Sequence, residues 1–144
     1  MSSPQRLAIG DAELAFEIVG DGPIDLVFLH EGLGSIELWR RFPRDVTSGV
    51  GGSGLVYDRR GHGRSSPSVG ERTASYLHES ALEELPQILT RFSLERPVLI
   101  GHSDGATIAL IHAAHHAIGG LVLIAPHVSV EEAATTGIAR TDLA

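Results

Sequence analysis

Ser103 stands between two glycines in the run Gly101-His102-Ser103-Asp104-Gly105, which fits the pattern G-x-S-x-G. The residues before it, Val98 to Ile100, form a short apolar run that reads as a buried strand, and helical spacing begins at Asp104. A serine at such a junction can act as a nucleophile, because a sharp strand-to-helix turn projects its hydroxyl alone above the sheet. Gly101 and Gly105 lack Cβ atoms, so neighbouring backbone can pass close on both sides of the turn. At the helix start, the amide of Asp104 has no intrahelical partner and is placed to stabilise a forming oxyanion. Its carboxylate is expected to point away from the pocket, where it would repel that same charge.

A serine nucleophile needs a base to take its proton and an acid to hold the base. After Ser103 come His112, His115, His116 and His127, with Glu131, Glu132 and Asp142 as acids. The first three histidines lie on the helix that runs away from the turn, and are expected to face solvent or to sit at the helix end. His127 follows the last strand on the same edge as Ser103; it is expected to line the pocket or cap an element rather than to act as base. His112 and His116 have the i, i+4 spacing of a zinc pair, yet Ala113 stands where H-E-x-x-H has its glutamate, so no metal is expected. His102 is expected to pack on the far side of the turn.

Composition narrows the alternatives. The 144 residues suit one domain, and 11 basic against 18 acidic residues leave a formal charge of -7 with no basic stripe to follow phosphates, so nucleic acid is not expected as a partner. All the basic residues are Arg. The absence of Cys excludes disulfides, thiolate catalysis and sulfur-ligated metals. No basic start with an apolar segment opens the chain, and no run approaches the about 18 apolar residues of a membrane span, so a cytoplasmic protein without membrane contact is expected.

The elements that must position Ser103 follow from periodicity. Arg6 to Val19 reads as a hairpin about Gly10-Asp11, with Leu14, Phe16 and Ile18 alternating on its second strand. Ile24 to His30, Gly54 to Asp58, Val98 to Ile100 and Gly120 to Ala125 read as short strands, most of them buried on both faces. Between them, Ile36, Trp39 and Phe42 are spaced as on a helix, with Pro43 at its end or kinking it, and the two aromatic residues are expected in the helix core. Ser48 to Gly54 reads as a loop. Thr73 to Phe92 predicts a longer helix broken near Pro86. Strands alternating with helices predict an α/β fold with a mostly parallel sheet covered on both faces, preceded by the antiparallel hairpin.

These segments, in the order "VFLHEGLGS", "VYDRRGHGRSS", "IGHSDGA" and "LVLIAP", resemble the α/β-hydrolase family over nearly the whole chain. The resemblance implies a doubly wound sheet incomplete at its C-terminal edge, with a hydrolase core over residues 1–126 and the start of a cap or linker at 127–144. It implies that the loop after the third strand, His30-Glu31-Gly32-Leu33-Gly34, supplies a second oxyanion amide. Glu31 departs from the more usual His-Gly start, so that donor falls at Gly32 or Leu33, with His30 and Glu31 as pocket candidates. In Asp58 to Ser66, which looks like the family's D-x-R-G-x-G-x-S loop, Asp58 with Arg60 or Arg64 is expected to tie the loop by charge-assisted hydrogen bonds.

The same resemblance implies a serine hydrolase of small acyl compounds, most simply a carboxylic ester, that needs no cofactor. The triad acid and base are then expected beyond the end of this chain, which leaves the 144 residues inactive alone and exposes Gly120 to Ala125 as an apolar edge open to self-association. The rival reading is a non-catalytic scaffold or natural short form that binds a ligand.

Overall fold

The computed structural model describes residues 3–70 and 73–127. The hairpin forms as expected: β1 (Gln5–Ile9) and β2 (Ala12–Gly20) pair antiparallel about Gly10, whose φ of +60° suits a residue without a Cβ. β3 (Ile24–Leu29), β4 (Ser53–Tyr57), β5 (Val98–His102) and β6 (Gly120–Ile124) are parallel, and the sheet order is β1-β2-β4-β3-β5-β6. β2 joins the hairpin to the parallel part by pairing antiparallel with β4.

Two readings of the segment between β3 and β4 are corrected. Ile36, Trp39 and Phe42 do not share one helix: Glu37–Trp39 is a single 3₁₀ turn, and Arg40 at φ 56° separates it from α1 (Phe42–Val50). Pro43 neither ends nor kinks a helix but sits in the first turn of α1, where its missing N–H would have had no intrahelical partner. Trp39 stacks on Phe42 at 5.4 Å, and both rings meet Phe28 of β3 edge-on. The expected loop from Ser48 to Gly54 shrinks to Gly51 and Gly52, with α1 running through Val50 and β4 starting at Ser53. Gly54 belongs to the strand, in register with Val19 and Leu26, and the Phe28 ring lies against it; a Cβ there would come within 2.6 Å of a ring carbon.

The long helix is continuous but not uniform. α2 (Tyr76–Glu79) widens into a π turn at Ser80–Glu84 before α3 (Leu85–Arg91), so the irregularity precedes Pro86, which falls in the first turn of α3. Ala81, Leu85 and Ile88 pack with Leu14, Val27, Leu55 and Leu99 on one face of the sheet, joined by Ile108 of α4 (Asp104–His115). Ala15, Phe28, Val56 and Ile100 form the core of the other face with Ile36. Among the described residues, no helix is long and apolar enough to cross a membrane.

β6 pairs with β5 alone among the described residues, and Val122 on it is 45% exposed. An unpaired apolar edge is a template for another strand. The 144-residue chain by itself is therefore expected to self-associate, and Val122→Lys to return it to monomer in sedimentation velocity. A wild-type chain that sediments at 15.3 kDa would remove this expectation.

Candidate active site

Ser103 holds φ 54° and ψ −113°, between the end of β5 and the start of α4. For a residue with a Cβ such a conformation costs about 1–3 kcal/mol and persists only where its surroundings impose it. Here the Ser103 amide donates to the Ile124 carbonyl at 2.8 Å, and the Ser103 carbonyl accepts from Thr107 N at 3.1 Å. The flanking glycines let the backbones close in. A Cβ on Gly105 would overlap the Leu29 carbonyl of β3, and one on Gly101 would lie 2.6 Å from Ala106 Cα. The helix thus sits directly on two strands, and the only path from β5 into it is a tight turn with Ser103 partly exposed at its apex.

The loop after β3 is held from below by the loop after β4. Asp58, 2% exposed, accepts from Ile36 N at 2.7 Å and from Arg64 N at 2.9 Å. The expected tie of Asp58 to Arg60 or Arg64 forms with Arg64, through its backbone amide and not its guanidinium. Arg60 pairs with Asp11 and Arg64 with Glu37, while Asp58 takes backbone amides, which a buried carboxylate can reach without bringing in a second charge. Gly63, at φ 50°, passes so close to Asp58 that a Cβ would overlap the carboxylate.

Arg59 was not singled out by the sequence. It is 1% exposed, its Nη1 donates to the His30 carbonyl, and its Nη2 to the Glu31 carbonyl at 3.2 Å. His30, a pocket candidate, is 2% exposed and serves as an internal tie: its Nε2 accepts from Arg59 N at 3.0 Å, so Nδ1–H donates to the Glu31 carbonyl at 2.6 Å. Leu33 is exposed, and the Gly32 carbonyl accepts from His62 Nε2 at 2.8 Å. Glu31 reaches towards His102, whose Nδ1 lies 3.9 Å from Glu31 Oε2 and whose ring packs near Trp39.

Behind Arg59, Tyr57 Oη, Arg59 Nε and Glu84 Oε1 are enclosed with no hydrogen-bond partner among the described residues. Burial lowers the Arg59 guanidinium from its ordinary value, against the opposing pull of Tyr57, Asp104 and Glu84. Burial likewise raises the Tyr57 hydroxyl and pushes the Glu84 carboxyl up to about 6.

The Asp104 carboxylate does not point away from the pocket. It lies against Gly32, where a Cβ would be 3.1 Å from Asp104 Cγ, and it accepts from Tyr76 Oη and from His127 Nε2, the latter at 2.7 Å. The two donors explain why a charge is tolerated beside that loop. Burial would raise the Asp104 carboxyl, but hydrogen bonds from Tyr76 and His127 and the charge of Arg59 outweigh it, and the net shift is downward. Tyr76 carried no signal in the sequence beyond its place at a helix start.

His127 is thereby engaged with Asp104, and its backbone is tied to Thr107 Oγ1. Among the described residues, no hydrogen bond joins Ser103 Oγ to a histidine. His112 faces the interior, not solvent: it is 1% exposed, with Nδ1 on the Ala81 carbonyl at 2.9 Å, and burial lowers its ordinary value. His115 bonds the Ile111 carbonyl within its own helix, and His116 stacks on His112. No cluster of three metal-ligating side chains occurs among the described residues. Glu131, Glu132 and Asp142, like the cap or linker segment after His127, lie outside the described residues. A half-open cavity of about 500 Å³ lies between the hairpin turn and α2–α3, lined by Asp11, Arg60, His62, Tyr76 and Glu84 but not by Ser103.

The sequence pattern of the alpha/beta hydrolase fold matches residues 26–142, which include the loop after β3, the loop after β4 and the Ser103 turn. The chain belongs to the alpha/beta hydrolase fold family. Among its relatives, the mouse protein ABHD8 is 36% identical over 83 residues, 57% of this chain and 18% of that protein. A hydrolase from Pseudomonas aeruginosa PA01 is 26% identical with a TM-score of 0.78, the match covering 98% of this chain and 53% of that one. A carboxylesterase structure from Nitrososphaera gargenis superposes with a TM-score of 0.81 at 23% identity, over 95% of this chain and 51% of its own. The chain spans about half the length of these solved alpha/beta hydrolases and under a fifth of ABHD8.

Two measurements probe this framework. Gly105→Ala is expected to cost about 3 kcal/mol or more in urea unfolding, since the obstacle is the Leu29 backbone and not a side chain that can turn aside. For Glu84, the folded state keeps the proton up to about pH 6, whereas the unfolded chain releases it at the ordinary carboxylate value. Stability from this group is full at low pH and falls as pH rises through about 6. Glu84→Gln should match wild type near about pH 4 and exceed it by about 1–2 kcal/mol above about pH 7.

Proposed function

We propose that the chain carries the nucleophile and oxyanion donors of a serine hydrolase acting on small acyl compounds, with a carboxylic ester as the simplest substrate. The observation that carries this reading is Ser103 at φ 54° on the turn from β5 into α4, between two glycines that the packing requires. Its oxygen attacks the substrate carbonyl carbon, and the carbonyl electrons move onto oxygen, where the amides of Asp104 and of Leu33 or Gly32 donate hydrogen bonds. The bond to the alcohol then breaks with protonation of the leaving oxygen, and water releases the acid in a second round. Amides, lactones and carbon–carbon bonds next to a carbonyl are open to the same attack.

Both proton transfers need a base. His127 is bonded to Asp104, and the other histidines of α4 lie along a helix leading away from the turn, so we assign the base and its acid to chain outside the described residues. The greater length of the solved relatives supports this assignment.

Treating the protein from its own source with a fluorophosphonate tests the reading by intact mass and peptide mapping. One adduct on Ser103, absent from Ser103→Ala, is expected. A protein that stays unlabelled at concentrations that saturate other serine hydrolases would be a binding scaffold instead.

A further inference from the structure

The two candidate oxyanion amides of the loop after β3 belong to peptide groups whose carbonyls are both taken. A peptide group is planar and trans, so its C=O and N–H point in opposite directions. The Gly32 N–H shares a plane with the Glu31 carbonyl, held by Arg59 Nη2 and by Gly34 N at 3.0 Å. The Leu33 N–H shares a plane with the Gly32 carbonyl, which accepts from His62 Nε2 at 2.8 Å. Each amide is thereby turned away from the loop after β4 that grips its carbonyl.

The second of these planes has the greater need of an anchor. Gly32 has no side chain to restrict its rotation, and the Leu33 side chain is 84% exposed, so nothing on either residue fixes the plane between them by packing. His62 is well placed to do so. Its ring packs on the buried His30 at 4.8 Å. The residues that follow it are tied down by Asp58, through the close passage of Gly63 and the bond to Arg64 N.

We infer that His62 is a positioning residue, which orients the Leu33 amide as an oxyanion donor by holding the Gly32 carbonyl. The inference deepens the hydrolase reading and rests on it for its catalytic meaning. An oxyanion donor is effective only when it is aligned before charge develops, because realignment during the reaction would consume the stabilisation it provides. His62 touches no reacting atom in this scheme.

The test compares wild type, His62→Phe and His62→Gln in the full-length gene product. Phe keeps a ring and loses the donor, whereas Gln restores an N–H that can reach the Gly32 carbonyl. With a fluorophosphonate, His62→Phe should lower the maximal rate of Ser103 modification by about tenfold or more, given the about 10²–10³ lost when a whole donor is removed. The half-saturating concentration should stay within about twofold, as expected for an interaction made mainly in the transition state, and His62→Gln should recover much of the rate. A purely structural role would lower thermal stability without that split or that rescue.

A separate measurement does not depend on reactivity. The residual dipolar coupling of the Leu33 N–H should change in His62→Phe and return in His62→Gln. Equal couplings in all three proteins would overturn the inference. An unlabelled wild type with His62-dependent couplings would sink the hydrolase reading and leave the positioning of Leu33 standing.

Discussion

The site depends on one close approach, that of α4 to the backbone of β3 at Gly105. No side chain fits between position 105 and the Leu29 carbonyl, and Gly101 repeats the condition against Gly105 and Ala106. Contact at backbone distance fixes where the helix begins relative to the sheet, and that in turn leaves Ser103 a single way to connect β5 with α4. Its positive φ follows from this packing and not from any preference of serine. The placement of Ser103 at the apex is thus a by-product of two backbones brought together, and the stability of the surrounding core sustains the strain.

A second layer of order comes from the loop after β4, which carries Asp58, Arg59 and His62 beneath the loop after β3. Asp58 binds amides of both loops, Arg59 grips two consecutive carbonyls, and His62 takes the next one. Each tie on a carbonyl turns the N–H of the same peptide plane the opposite way. The arrangement buries charge, and Tyr57, Arg59 and Glu84 bear part of the desolvation cost.

Asp104 unites the two layers. Its amide begins α4, while its carboxylate lies against Gly32 and is held by Tyr76 and His127. A negative charge in that position bears on any oxyanion formed nearby, and its two donors together with Arg59 draw the charge away from it. The same contacts join α2, α4 and the segment after β6 around the loop that follows β3.

The hairpin, the four parallel strands, the helix after Ser103 and the two glycines of the turn were legible in the sequence, because periodicity and missing Cβ atoms are local properties that survive in one dimension. Side-chain partners were not. Arg59 and Arg60 are adjacent and identical in type, yet one is buried under the β3 loop and the other pairs with Asp11 in the hairpin; only the direction each leaves the backbone separates them. His112 reads as one of several helical histidines until the π turn brings the Ala81 carbonyl to it. The Asp104 carboxylate was expected to turn from the pocket by charge alone, and the structure decided otherwise because Tyr76, 28 residues earlier, and His127, 23 later, converge there as donors. The sequence by itself determined the hairpin, the parallel strands, the helix after Ser103 and where a serine could be exposed, but not the elements between β3 and β4. Tertiary structure decided which polar groups meet, because that choice depends on distances between residues far apart in the chain.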